Sequence, residues 1–294
     1  MKTKLSVWTS KYTLESKEAT KGKLKEVFRG RSELDHYIGK VGSVVVHSIP
    51  CRGAFNITLG ANRIFYVWEN VAEIVINAEG NPLEENQKVS IDSTYSFVTI
   101  GNNSQHTSLI VEVSSLPYLE EAYKTIGEAN IKHIHIRATQ DTKDFLDEEL
   151  NQITVHNFGP YSFGGNHYHV NEKKEMFLVA EGLVHIFEKK VDESVEGFGV
   201  EEILKRIESK DRDNVIQHDS YGQGGVFSFE PVDRDKQRIS HATASGKTPA
   251  KFIELTNVAF DPLVGTTTCY PYILVPKDYD ERKKLLDRLE RWAA

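Results

Sequence analysis

Eleven short runs of β-branched and aromatic residues, most of them closed by Gly, Asn, Pro or Asp, constrain this chain more than any other feature. VGSVVVHSI (41–49), RIFYVW (63–68), AEIVIN (72–77), SFVTIG (96–101) and SLIVEV (108–113) lie in the first half. HIHIRA (133–138), QITVHNF (152–158), EMFLVA (175–180), LVHIFEKK (183–190), GGVFSFE (224–230) and KFIELTNV (251–258) lie in the second. Runs of this length and spacing build sandwiches or barrels. Four segments read as helical. They are Glu18–Phe28, Leu119–Ile126, Val200–Ser209, with Val200, Ile203, Leu204 and Ile207 at helical spacing, and Asp278–Trp292. The last carries Tyr279, Leu285, Leu286 and Leu289 near one face and is expected on the outside of a barrel.

The runs repeat. RIFYVWEN (63–70) overlays EMFLVAEG (175–182), 112 residues downstream, with Phe65 on Phe177, Val67 on Val179 and Glu69 on Glu181. Carried backwards, the same offset brings Gly53 onto Gly165. SLIVEVS (108–114) falls on the strand around KFIELTN (251–257), 142 residues downstream, with Glu112 on Glu254. The larger offset implies an insertion in the second copy. Lys190–Asp213 is the candidate, with 13 charged residues among 24 and the amphipathic Val200–Ser209 segment inside it. The expected organisation is therefore two copies of one β-unit, 1–130 and 131–294, the second with a charged excursion near 190–213. A chain of 294 residues can bury two such cores without staples.

Composition excludes several classes. Lys and Arg number 36 against 43 Asp and Glu, a net charge of −7, where a general nucleic-acid binder needs a basic surplus. No apolar run reaches the ~18–20 residues that span a bilayer, and the N-terminal segment lacks the apolar core of a signal peptide. Cys51 and Cys269 make neither a disulfide framework nor a thiolate zinc site, so a cytoplasmic location is the simplest expectation. The sequence has no P-loop, dinucleotide fingerprint or nucleophile elbow.

One segment carries metal-binding chemistry: GGNHYHVNEKKEMFLVAEG (164–182). His167 and His169 stand two apart, which on a strand gives them one face. Glu175 opens the next run and shares a face with Phe177 and Val179. VNEKK between them reads as a polar turn, and Gly164 and Gly165 allow the backbone to turn sharply before the histidines. Two imidazoles and a carboxylate are the ligand set of catalytic zinc and of non-haem iron sites with open positions. The HIH pair at His133 and His135 lacks a following Glu run and reads as structural or surface. His47 and His106 have no partners at this spacing.

Glycine, His-x-His, a short spacer, Glu, six residues and Gly resemble the first motif of the cupin superfamily, supplied here by His167, His169, Glu175 and Gly182. The spacer of five residues is slightly longer than in many cupins. The resemblance implies one further histidine from a later strand, and RISHATASGKTPAKFIEL (238–255) offers His241. Lys236, Arg238 and Ser245 depart from the usual second motif, and His156 and His218 are the substitutes. The resemblance implies an all-β bicupin: two tandem cupin barrels (double-stranded β-helix or jelly roll) with a few peripheral helices. It also implies one divalent metal (Zn, Fe, Mn or Ni) in the second barrel. By the repeat, His167, His169, Glu175 and His241 map to Phe55, Ile57, Arg63 and Thr99. The first barrel is thus expected to be structural, a dimerisation surface or a cavity filled by Phe and Ile.

A ligated Glu175 leaves the proton-transfer group to be found elsewhere. His156 and Tyr161 are the nearby candidates; Tyr168, between the two histidines, points to the opposite face. Three functions follow. The first is a metal-dependent isomerase or epimerase of a small polar, carbohydrate-type compound, toward which the likeness to cupin domains of bacterial surface-sugar biosynthesis leans. The second is an iron-dependent dioxygenase, and the third a non-catalytic metal- or small-molecule-binding bicupin. The expected partner is a small-molecule substrate, with no nucleic acid or membrane, on a monomer or homodimer.

Overall fold

The computed structural model describes residues 7–9, 13–14, 23–58, 60–76, 79–95, 97–169, 173–190, 199–209, 216–229, 239–258, 269–271, 276 and 278–293. At 7–9, 13–14, 23, 165–169, 190, 269–271 and 293 it describes the backbone alone. The chain divides into two compact units.

Among the described residues, eight strands build the barrel of the first unit: β1 (Ser43–Ile49), β2 (Ala54–Thr58), β3 (Arg63–Glu69), β4 (Ala72–Ile76), β5 (Glu79–Leu83), β6 (Gln87–Ile91), β7 (Phe97–Gly101) and β8 (Ser108–Ser114). One sheet has the order β6-β3-β8-β1 and the other β2-β7-β4-β5, with the neighbouring pairs antiparallel. This is the strand order of the eight-stranded jelly roll. Alternate residues point inward, and Phe55, Ile57, Phe65, Val67, Ile74 and Ile100 fill the interior. Lys132–His135 extends the first sheet beside β1, and Tyr123–Ile126 extends the second beside β2.

The second unit repeats the order. Among the described residues its barrel strands are β9 (Gln152–Phe158), β10 (Phe163–His169), β11 (Glu175–Glu181), β12 (Val184–Lys190), β13 (Gln217–Tyr221), β14 (Val226–Phe229), β15 (Ile239–Ser245) and β16 (Ala250–Thr256). The sheets run β14-β11-β16-β9 and β13-β12-β15-β10, each strand standing where its counterpart eight numbers lower stands in the first unit. Phe158, Phe177, Val179, Ile186, Phe227 and Phe252 fill this interior.

Among the described residues four α-helices lie outside the sheets: α1 (Arg31–Tyr37), α2 (Gln140–Asp144), α3 (Val200–Glu208) and α4 (Tyr279–Ala293). Val200, Ile203 and Leu204 of α3 and Leu285, Leu286 and Leu289 of α4 form one cluster with Phe163, Phe187, Ala242 and Ala244, the outward residues of the β10–β15–β12 sheet. The helix inside the charged excursion is thus a cover for one barrel face, as its apolar spacing predicts. Of that excursion, 191–198 and 210–215 lie outside the described residues.

Three expectations are corrected. The segment 18–28, read as a helix, contributes a strand, Lys23–Arg29, beside β9; 18–22 lies outside the described residues. Leu119–Ile126 is one 3-10 turn, Glu120–Ala122, followed by the strand Tyr123–Ile126. The expected boundary at 130/131 moves as well. Lys132–His135 pairs with β1, so the first unit continues to Ile153, and of the described residues 13–14 and 23–25 count with the second unit. Pairing with a distant strand decides all three, and local spacing does not encode it.

Candidate metal centre

At one end of the second barrel the inward rows change from apolar to polar. Glu175 precedes Phe177 and Val179 on β11. His241 precedes Thr243 on β15, His156 precedes Phe158 on β9, and Glu254 follows Phe252 on β16. Glu175 and His241 come from opposite sheets and meet: His241 Nε2 lies 3.1 Å from Glu175 Oε2, with both residues 2% exposed. Phe229 stacks on His241 at 3.9 Å between ring centroids.

The backbone of His167 lies directly across from His241 in the β10–β15 ladder. It reaches that place through a bulge. Gly164 pairs with Thr243, and the next pair is His167 with His241, so β10 carries one extra residue between them. Without it Asn166 would stand opposite His241. The glycine pair, expected to make a sharp turn ahead of the histidines, lies inside the strand instead. Gly164 has a packing reason, since a Cβ there would meet the Phe158 ring at 2.6 Å.

An imidazole nitrogen and a carboxylate oxygen converge out of reach of solvent, and the backbone of a second histidine lies in the adjoining strand. This donor chemistry fits a divalent cation. The side chains of His167 and His169 lie outside the described ones, and among the described residues no set of three such ligands is complete.

Four further residues surround the pair. Lys173, 5% exposed, places Nζ 2.6 Å from Glu175 Oε1 and 3.8 Å from Glu254 Oε1. The other oxygen of Glu254 lies 2.7 Å from His156 Nε2. The His156 ring stacks on Phe252, with centroids 4.6 Å apart. Glu188 stands across the ladder from His241, its carboxyl pushed up by burial and then by the charge of Asp219. Sequence reasoning passed over Lys173, Glu254 and Glu188. Lys173 looked like part of a solvated turn, and Glu188 belonged to a charged strand end. Glu254 had a signal, its overlay on Glu112.

Two other candidates lie elsewhere. The Tyr161 hydroxyl donates to Asp287 Oδ1 at 2.7 Å, and its ring belongs to the cluster under α3 and α4. Burial and Asp287 push that phenol up to about 12. His218 Nε2 meets His185 Nδ1 at 3.1 Å, and its ring lies against Phe187 of the same outer cluster. Neither joins the Glu175–His241 pair.

The first barrel offers the comparison. Phe65 pairs with Glu112 as Phe177 pairs with Glu254, which places Arg63 at the position of Glu175. His47 Nε2 lies 2.8 Å from Glu112 Oε2, Arg63 Nη1 donates to Oε1, and the Tyr123 hydroxyl donates at 3.1 Å. Burial would raise the Glu112 carboxyl, but the His47 contact and the Arg63 charge outweigh it and hold it low. His133 Nδ1 meets His47 Nδ1 at 2.8 Å, and its imidazole is pushed down to about 3 by burial and by His47. His47, buried, and His133, half-buried, are therefore members of one network around the buried Glu112.

The ladder also refines the overlay. Ile100 pairs with Ile74 as Thr243 pairs with Ile186, so His241 corresponds to Val98 and not to Thr99. Val98 pairs with Ile57 as His241 pairs with His167, so His167 corresponds to Ile57 and not to Phe55. The bulge shifts the count on β10. Neither corrected position in the first barrel carries a ligand-type residue.

No family model matches the chain, and no curated protein does. Solved structures similar to it include procruciferin, an 11S globulin from Brassica napus, at 9% identity over 86% of this chain and 84% of that one, with a TM-score of 0.35. Vicilin from Corylus avellana is similar at 11% identity over 85% of each chain, with a TM-score of 0.40. Oxalate decarboxylase from Bacillus subtilis, in a study of its Mn(II) centers, is similar at 10% identity over 87% and 78%, with a TM-score of 0.38. The fold itself rests on strand order and register: the chain is a tandem pair of jelly-roll barrels, the architecture that the resemblance to bicupins implies.

Proposed function

We propose that the second unit is a single-site metalloenzyme for a small polar, carbohydrate-type molecule, working as an isomerase or epimerase at the carbon next to a carbonyl. The observation that carries this reading is the approach of Glu175 and His241 from opposite sheets, with the His156–Glu254 pair at the same end of the barrel. His167, His169, Glu175 and His241 would hold a divalent metal, which would supply Lewis-acid polarisation of the carbonyl.

The proton work falls to His156. Its Nε2 is oriented by Glu254, which stabilises the imidazolium formed when Nδ1 takes a proton. In an isomerisation the same nitrogen returns the proton to the neighbouring carbon; an epimerisation takes its proton from a second donor on the opposite face. Phe158, Phe177, Phe229 and Phe252 line the floor and keep water from the exchanging proton. Tyr161, held by Asp287, takes no part in this reading. The reading takes a small molecule as the partner and the cytoplasm as the location. It needs no nucleic acid; among the described residues no helix is long and apolar enough to cross a membrane.

The test is solvent exchange. Protein reconstituted with zinc, iron, manganese or nickel in turn is incubated with small aldoses, ketoses and their acids in deuterated water. Deuterium should enter the substrate beside the carbonyl, chelation should abolish it, and His156→Asn should slow it by about a hundredfold or more with metal retained. Oxygen uptake matched to substrate loss, without deuterium entry, would contradict the isomerase reading in favour of a dioxygenase.

A further inference from the structure

We infer that Lys173 is a built-in counter-ion for the metal site: it competes with a divalent cation for Glu175 and passes to Glu254 when a metal takes Glu175. The inference rests on the metal-site reading above and adds to it which cation competes for Glu175 and where that cation goes.

Three observations meet here. Lys173 is buried and lies between two carboxylates, 2.6 Å from Glu175 and 3.8 Å from Glu254. Glu175 is the only one of the two that faces His241 in an ion-pair contact among the described residues. The first barrel shows what the strand-eight glutamate takes when no ligand position competes. There Glu112 has a strand-one histidine on one oxygen and a guanidinium on the other. Glu254 has the same histidine relation through His156, but its cation leans toward Glu175.

The duplicated arrangement thus assigns Glu254 as the second seat of Lys173. A divalent ion on Glu175 repels the ammonium, and Glu254 accepts it without a charge being stranded in the interior. The filled second barrel then carries the histidine–glutamate–cation triad that Arg63 completes permanently in the first. Metal entry and the electrostatics around His156 become coupled through one side chain.

The experiment is calorimetric titration of the metal-free full-length protein with manganese(II) and with zinc(II). Removing the competing cation in Lys173→Met should tighten binding by about tenfold, the scale of one charge-assisted hydrogen bond. Lys173→Arg should stay within a few-fold of wild type. Glu254→Gln removes the second seat and should weaken binding by a similar factor, which keeps the inference testable should Lys173→Met fail to fold. Unchanged or weaker binding in Lys173→Met, or unchanged binding in Glu254→Gln, would overturn it. Failure of the underlying reading looks different: no stoichiometric binding in wild type, or binding that survives Glu175→Gln.

Discussion

Arg63 and Glu112 are both shut away from solvent, so each is expensive to leave without the other. Arg63→Ala strands a carboxylate that His47 and Tyr123 only partly satisfy. The expected loss is about 3 kcal/mol in urea unfolding of the first unit, the scale for breaking a buried pair. Glu112→Gln, which leaves the guanidinium uncompensated, should destabilise as well. A loss below about 1 kcal/mol in both would show that water or another group of opposite charge serves whichever partner is left. Much of this chemistry is legible in the sequence. The overlay set Arg63 on Glu175 and Glu112 on Glu254, and both hold in the ladders. His47 and His156 occupy the same place in VVVHSI and ITVHNF, yet nothing in either string says that each meets a glutamate on strand eight. Lys173 was hidden for the same reason: a lysine in a polar turn reads as solvated until a partner brings it inside.

At the scale of elements, one turn shows why the motif ends in glycine. Gly182, between β11 and β12, has φ +79°, and a Cβ there would lie 2.2 Å from the Pro249 carbonyl oxygen. Asn70 holds the same place after β3, with φ +62°, and its side-chain amide donates to Thr107 O at 2.6 Å. Asn tolerates the left-handed region where Ala does not. Gly182→Ala should therefore cost about 2 kcal/mol or more, while Asn70→Gly costs well under 1 kcal/mol, both by urea midpoint. Equal losses would contradict the account. Strands and the helices α3 and α4 were readable because their apolar spacing is local. The strand Lys23–Arg29 was not. KLKEVFR carries charges on strand positions and earns its place only by lying beside β9. The bulge in β10 was equally invisible, since it exists only relative to β15.

At the scale of the whole molecule, the tandem duplication was visible and its seam was not, because the pairing of Lys132–His135 with β1 is a long-range fact. The outer face of the second unit makes stability sensitive to acid. His185 is fully buried, and burial, with the charge of His218, pushes its imidazole down to about 4 from 6.5. The unfolded chain therefore binds the proton more readily than the folded one. The stabilisation is whole above pH 6.5 and fades as pH falls toward 4, by about 3 kcal/mol at full effect. Urea midpoints at pH 7 and pH 4.5 should converge in His185→Gln relative to wild type; an identical pH slope in the two would contradict it.

The central claim is that, of two barrels of one design, the second holds a cation site and the first does not. Metal content of the reconstituted and dialysed full-length chain tests it most directly, measured for wild type, Glu175→Gln and, as the first-barrel control, His133→Gln. The account predicts about one equivalent in wild type and in His133→Gln, and none in Glu175→Gln. Two equivalents, none at all, or one that survives Glu175→Gln would contradict it.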